Sequence, residues 1–575
     1  MRAIREPSFA ASLLLAGGAL FFGGGPADGS LLWLGAGALA IVLWTLAVRG
    51  APAGALALVP LALLVAWLAV TIAWSTLPDR SWEVADRGLV YVLAAAAGLC
   101  VARYRRELAL GLAALLGAVA VWALLTRVAP SLGDVSTPFG DRLRAPVGLW
   151  NQLALLGCFA LPLALWRKRL EGTLLAYAWA VALLLTYSRG GLLTAVAVLA
   201  VWFWRDDERI DSAVTLAAAA VPAGLVVACS LLFAKHGAGF AVLVLLGAVA
   251  AGALERLPRP RATPALRRAA LAVLAVLAVA ALVFVVVKGT GSGAVGNGGR
   301  RVTSTSSNFR FTWWKQAWQG FEGHVLGGTG AGTFRLTNLL HRETYLDTTT
   351  EPHDLPLQFL SETGLVGLAL FLLAAAALVR PSLHRRGHEL ALGLFLPAWL
   401  LHGLVDVDWD FAAVSVPAFL AAGALAGGAP RRVSPFAVLA AAGAALLAAG
   451  ALLLPWLGNR WSDEATSSLS THTAERARSV DPLLVEPLWT LALAAELRGR
   501  DRLALAYYDE AIRKQPHNPE TWLLAGRFAL DNGCPRLAYT RLEKFTELDN
   551  KARQDRGGDA YRRARDLVNT GKPTC

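Results

Sequence analysis

The chain has 575 residues, of which 56% are hydrophobic and 17% charged, and its formal net charge is +13. Soluble globular chains carry about a quarter charged residues, so this composition excludes an ordinary soluble multidomain protein and requires an integral membrane protein. The basic balance does not point to nucleic acid, because the arginines and lysines fall in every second connection between apolar stretches.

Apolar windows of about 17 to 25 residues predict membrane helices. They lie near 8–25, 31–48, 54–74, 88–102, 108–128, 149–166, 172–187, 190–204, 212–233, 238–254, 269–288, 357–379, 389–405, 411–427 and 435–457, about fifteen in all. Arg2 with Arg5, Arg49, Arg103 to Arg106, Arg167 to Arg169, Arg205 with Arg209, Arg256 to Arg268, Arg380 to Arg386 and Arg431 with Arg432 mark the alternate connections. Short Lys/Arg-bearing loops stay cytoplasmic, which predicts an inner N-terminus, an outer loop over about 289–356 and an outer segment after Leu457. The first apolar stretch also reads as a cleaved signal peptide, which leaves the sidedness of later loops unchanged. Cys100, Cys158 and Cys229 fall in predicted spans as small apolar fillers. Cys534 and Cys575 fall in the predicted outer segment, where an oxidising compartment permits a disulfide.

Ser188-Arg189-Gly190-Gly191 joins two spans with almost no loop, which holds Arg189 at membrane depth. Such an arginine costs about 2.5 to 3.5 kcal/mol on insertion scales and usually faces a cavity or a partner; the alternative is an interfacial anchor. The outer loop changes character at Asn308-Phe309-Arg310. Phe311, Trp314 and Trp318 then predict a helix with an aromatic stripe, suited to packing on the membrane domain or its interface, and Arg310 occupies its first turn. The glycine-rich stretch from Gly327 to Gly332 lacks the Lys-Ser/Thr ending of a nucleotide loop and reads as a shaped turn, with Arg335 behind it as a phosphate-binding candidate. His353 stands just before a predicted span. Arginine offers phosphate a fixed fork of donors and neutral histidine accepts a proton near pH 7, so Arg310 and His353 at one membrane surface suit a lipid-diphosphate substrate. Arg142 and Arg144 before Asn151 form a second basic outer segment, read either as a wall for the same substrate or as an interfacial feature. His402, Asp406 and Asp408 line the outer end of a late span, where carboxylates either orient acceptor hydroxyls or simply finish a polar helix end.

Beyond Trp461 the composition becomes charged and helical, dividing the chain into a membrane domain over 1–460 and a small domain over 461–575. Ala492 and Gly526, Ala504 and Ala538, and Pro516 and Asn550 are each separated by 34 residues, as are Pro482 and Pro516. Small residues where paired helices cross, at this period, resemble the tetratricopeptide repeat. The segment reads as a docking surface for a protein partner or as a stabilising cap.

In chain order, the Ser188-Arg189-Gly190 turn, the Arg310-x-x-x-Trp314 segment, the 327–332 glycines and the His353…Gln358…Glu362-x-Gly364…Gly367 run resemble the O-antigen ligase and polymerase superfamily. The resemblance is strongest over about 185–370. Asp354 stands where many relatives carry Asn. What it implies is an all-α, polytopic transmembrane helical bundle with a large outer loop and a small C-terminal helical-repeat domain. It further implies a metal-independent, inverting glycosyltransferase without cofactor in the bacterial cytoplasmic membrane. The donor is then a glycan on polyprenyl diphosphate, and the acceptor a lipid-linked core sugar, another glycan or a protein hydroxyl. Carried over by residue, Arg189 and Arg310 bind the diphosphate and His353 takes the acceptor proton. Arg142, Arg144, Asn151, Arg335, Asp354 and Asp406 are further substrate-binding candidates, read from their places in the sequence. Two other classes are weighed against this. A lipid-linked glycan transporter would show related halves, which the chain lacks. A scaffold would need only one span.

Overall fold

The computed structural model describes residues 6–23, 28–133, 142–258, 308–431, 434–554 and 557–570. The described chain is almost entirely helical. Helices α1 (Pro7–Phe22), α2 (Asp28–Arg49), α3 (Val59–Thr71), α4 (Pro78–Cys100), α5 (Arg105–Val128), α6 (Trp150–Arg167), α7 (Arg169–Thr186), α8 (Arg189–Arg205), α9 (Arg209–Phe233) and α10 (Gly237–Glu255) come first. They are followed by α11 (Arg310–Gly323), α12 (Phe334–His341), α13 (Leu355–Val379), α14 (Gly387–Gly393), α15 (Phe395–His402), α16 (Ala412–Ala426) and α17 (Pro435–Ser468). The chain closes with α18 (Thr471–Val480), α19 (Glu486–Glu496), α20 (Asp501–Lys514), α21 (Pro519–Asp531), α22 (Pro535–Leu548) and α23 (Gly558–Asn569). One short antiparallel pair joins Ala51–Ala53 to Gly428–Arg431.

This is an all-α, multi-pass membrane protein. Among the described residues, seven helices are long and apolar enough to cross a membrane: Gly29–Arg49, Ala102–Val128, Arg169–Thr186, Arg209–Phe233, Gly237–Glu255, Leu355–Ser382 and Pro435–Ser468. Helices dominate because peptide groups in hydrocarbon must bond within their own segment. Each predicted span within the described residues falls on helical chain, with 389–405 divided at Leu394 between α14 and α15. The predicted span 269–288 and most of the 289–307 stretch lie outside the described residues. Leu14, Phe22, Trp33, Leu232, Phe233 and Leu447 present exposed apolar side chains, as lipid-facing surfaces do.

Two compact units can be distinguished. The first comprises Met1–Ala62, Leu89–Phe309 and Leu372–Ala445. In it α4 and α16 cross with their backbones in contact: a Cβ on Gly98 would lie 2.1 Å from the Leu420 carbonyl oxygen, and one on Gly423 1.9 Å from that of Ala95. Small residues at a helix crossing allow this approach and maximise dispersion where lipid supplies no hydrophobic driving force. Around the crossing, Tyr91 stacks on Phe419 with centroids 5.2 Å apart and donates to the Trp409 carbonyl. The Trp399 indole donates to Ser415 Oγ at 2.9 Å.

The second unit comprises Leu63–Gly88, Arg310–Phe371 and Leu446–Cys575. Here α17 runs unbroken through Trp461, so the compositional change falls inside a helix. Successive C-terminal helices pack in pairs through buried small residues and aromatics, including Ala492, Ala504, Tyr508, Ala525 and Phe528. Gly526 lies so close to α22 that a Cβ would meet Leu542 Cγ at 2.6 Å. Residues 63–88 belong to this unit as well: Gln515 Nε2 donates to Asp79 Oδ1 at 2.7 Å, and the Trp82 indole to the Ala451 carbonyl at 3.1 Å. Cys534 is disulfide-bonded, whereas Cys575 lies outside the described residues.

Gly423→Leu is expected to destabilise the first unit, because neither flanking backbone can yield to a side chain. Overpacking typically costs about 1 to 3 kcal/mol and more where backbone is struck. Thermal unfolding in detergent should show a lower midpoint than for Gly443→Leu, a position whose added Cβ meets nothing within 4 Å. Equal midpoints would show that the crossing is looser than described.

Candidate active site

Each unit holds a group of the residues singled out from the sequence. In the first unit the group gathers where α7 turns into α8. Tyr187 takes a left-handed backbone, φ 50°, which ends α7, and Ser188 caps α8 by accepting the Gly191 amide at 3.1 Å. Arg189 is therefore the first residue of α8 and is half-buried. The first amides of a helix lack intrahelical partners and favour negative charge, so this guanidinium stands beside a second source of positive potential. The start of α8 adjoins the 402–406 run: a Cβ on Gly190 would lie 3.1 Å from Val405 Cγ2 and 3.7 Å from His402 Nε2.

Arg142, Asn151 and Asp406 come together beneath this turn. Arg142 is buried, donates from Nε to the Thr186 carbonyl at 2.7 Å, and lies over the Trp150 ring at 4.0 Å from its centroid. Its Nη2 approaches Asn151 Oδ1 at 3.5 Å, and Asn151 Nδ2 donates to the buried Asp406 carboxylate. His402 Nδ1 lies 2.8 Å from Asp408 Oδ1, both side chains being fully enclosed. An arginine and an aspartate linked through an amide neutralise one another without leaving a buried charge uncompensated. Arg144 belongs to the same segment and is half-buried.

In the second unit the group forms around His353. Its backbone is left-handed, φ 56°, an uncommon state for a residue with a Cβ and one that tends to persist only where surrounding contacts enforce it. The imidazole is half-buried and stacks on Trp313, with centroids 4.9 Å apart and planes 21° apart. Trp313 is fixed in turn by an indole bond to the Asp347 carbonyl at 2.7 Å. Arg310 lies three residues before Trp313, at the start of α11, and is half-buried. Asp354 caps α13 by accepting the Leu357 amide at 2.8 Å. Burial pushes its carboxyl up to about 6, and the bond from the Leu357 amide opposes that rise.

The glycine-rich stretch is a turn wrapped on α13. Glu362 accepts the Gly332 amide at 2.9 Å and the Phe334 amide at 3.0 Å, one at each carboxylate oxygen. Gly328 and Gly364 both have positive φ and their backbones touch neighbouring peptide groups, leaving no room for a side chain. Arg335, one residue beyond Phe334, is exposed. Four of the seven non-glycine residues with positive φ among the described residues, Tyr187, Asn308, Phe309 and His353, lie at or within two positions of Arg189, Arg310 or His353. Each candidate thus sits where the chain bends sharply into a helix.

The aromatic stripe reads differently in three dimensions. Phe311 and Trp318 are exposed and Trp314 is half-buried, whereas Trp313, off the stripe, is buried. Sequence reasoning passed over Trp313 because helical periodicity cannot say which face meets a histidine forty residues away. Among the described residues, no group of three or more His, Cys, Asp or Glu side chains is placed to hold a metal ion.

Asp354→Asn is expected to keep the helix cap, since both residues accept the same amide. An aspartate harder to ionise folded than unfolded contributes stability below its unfolded value and loses it as pH rises through about 6. Thermal unfolding between about pH 5 and pH 7.5 should therefore depend less on pH in the Asn variant than in the parent. Parallel curves would assign Asp354 an ordinary, solvated carboxyl.

The chain matches no curated protein. Residues 223–372 match the family model described as O-antigen ligase, a segment that includes Arg310, Arg335, His353 and Asp354 and ends after α13 has begun. The match identifies this segment as similar to the O-antigen ligase family.

Proposed function

We propose that this protein transfers a glycan from a polyprenyl-diphosphate carrier to an acceptor hydroxyl at the outer face of the bacterial cytoplasmic membrane, with inversion at the anomeric carbon. The family match over 223–372 supports the coarse role of an O-antigen ligase-like membrane enzyme with lipid-linked glycan substrates. The single observation that carries the finer reading is the setting of His353, which stands immediately before an apolar helix and stacks on Trp313, the residue three positions after Arg310 on α11.

In this reading His353 removes the proton of the acceptor oxygen as that oxygen attacks the anomeric carbon. The bond to the diphosphate oxygen breaks, and the charge that develops there is met by the guanidinium group of Arg310, while Arg189 keeps the diphosphate-binding role that the sequence resemblance implies for it. The left-handed entries to α8 and α11 leave the first amides of each helix facing the same kind of anion as the arginines. Arg144 and Arg335 are assigned to the sugar-phosphate portion of the substrate, since both retain exposure. The Arg142, Asn151 and Asp406 chain holds the turn before Arg189, through the Thr186 carbonyl, and Asp354 holds the turn after His353. The C-terminal helix pairs are assigned a tetratricopeptide-like arrangement, supported by the close seat of Gly526 on Leu542.

Purified protein given a radiolabelled lipid-linked glycan should transfer it to one of three separately supplied acceptors: lipid-linked core sugar, a second glycan, or a protein hydroxyl. His353→Ala should lower that transfer by about 10²- to 10⁴-fold while retaining donor binding. Arg310→Lys should lose about tenfold or more in donor use despite unchanged charge, because an ammonium cannot reproduce the planar fork. Movement of the labelled lipid across a vesicle without transfer to any acceptor would replace the enzyme with a carrier.

A further inference from the structure

The second unit contains a buried ion pair that joins the C-terminal helices to the segment leading to His353. Arg342 follows α12 and is 1% exposed; Asp549 follows α22 and is 4% exposed. The guanidinium grips the carboxylate with both arms, Nε to Oδ1 and Nη2 to Oδ2, each at 2.7 Å. Its remaining nitrogen Nη1 donates to Thr348 Oγ1 at 2.7 Å. The neighbouring Asn550 adds two bonds to the same segment, from its amide to the Leu339 carbonyl and from Nδ2 to the Arg342 carbonyl, each at 3.0 Å.

From this clasp a continuous set of bonds leads to the imidazole. Asp347, beside Thr348, accepts the Glu343 amide at 3.1 Å through its side chain and the Trp313 indole at 2.7 Å through its carbonyl. Asn338 donates to that same carbonyl at 3.0 Å and accepts the Thr349 amide at 3.1 Å. Thr349 Oγ1 then donates to the Glu351 carbonyl at 2.9 Å, two residues before His353. Trp313 carries the ring on which His353 stacks.

We propose that Asp549 and Arg342 are positioning residues for the glycan-transfer site: the C-terminal helices fix the 342–354 segment, and with it the seat of His353. The proposal rests on the reading of His353 as the base. A connection whose regular structure is a single 3-10 turn, Tyr345–Asp347, ordinarily samples many conformations, and an enclosed fork-to-fork pair between two connections removes that freedom on both sides at once. The C-terminal helices are then part of the catalytic unit, whatever else they bind.

The experiment is deuterium exchange of the full-length protein in detergent, read peptide by peptide, together with transfer kinetics. Asp549→Asn keeps the shape of the side chain and halves its grip on the guanidinium, and Arg342→Lys keeps the charge without the fork. Both are expected to raise exchange over 342–354 selectively, to leave 520–531 as in the parent, and to lower kcat by about tenfold to a hundredfold with KM for the donor unchanged within about twofold. Asn550→Ala removes neutral bonds and leaves the ion pair; it should give the same pattern more weakly, and it decides the matter if the charge variants do not fold. Unchanged exchange over 342–354, exchange raised evenly through the C-terminal helices, or raised exchange with unaltered kcat would each overturn the proposal. Full transfer by His353→Ala would instead overturn the assignment of the base, whatever the exchange pattern.

Discussion

Every peptide group that leaves a helix in apolar surroundings needs a partner, and that requirement governs the irregular parts of this protein. Within helices the ladder satisfies it. Where the ladder stops, a few buried polar side chains take over. Glu362 accepts two amides of the glycine-rich turn, Asp406 accepts the Val407 amide at 3.0 Å, Ser188 accepts that of Gly191, and Asn338 bonds both to a carbonyl and to an amide of the 347–349 segment. Leaving such a group unpaired costs about 1 to 3 kcal/mol, so these side chains fix the path of the chain as firmly as packing does.

The same requirement explains why the candidate groups stand at helix entries. A sharp turn into a helix exposes amides without partners, and an anionic ligand is one way to satisfy them. Arg189 and Arg310 each occupy the first position of a helix, and His353 and Asp354 immediately precede one. Left-handed residues beside them narrow the range of directions their side chains can take.

Charge is handled differently in the two units. In the first, Arg142 and Asp406 are buried and joined through Asn151, and His402 is enclosed against Asp408. In the second, Arg342 and Asp549 meet directly with bidentate geometry, which suits a junction that must hold one orientation. Replacing such pairs by apolar side chains often costs little stability, so the stronger argument for their presence is specificity of arrangement.

Much of the helical plan was legible in the residues. Apolar stretches marked the spans because their composition alone decides whether a segment can enter hydrocarbon. The stretch from Gly327 to Gly332 read as a shaped turn because its glycines cluster without the Lys-Ser/Thr ending of a nucleotide loop, and the structure adds the close backbone contacts there and what shapes the turn, the Glu362 carboxylate. The aromatic stripe of α11 was legible as periodicity, but its buried partner Trp313 was not, because the periodicity of one helix carries no information on what approaches it. Arg342 and Asp549 gave no signal at all. They are ordinary charged residues 207 positions apart, and only folding encloses them together.

By itself, then, the order of residues determined a helical membrane protein and its glycine turn, since both depend on local composition or short spacing. The tertiary structure alone decided that Arg142 reaches Asp406 through Asn151, that Trp313 seats His353, and that Asp549 holds Arg342. Such partnerships arise between remote segments, and the free energy that selects them comes from excluding solvent around both partners at once.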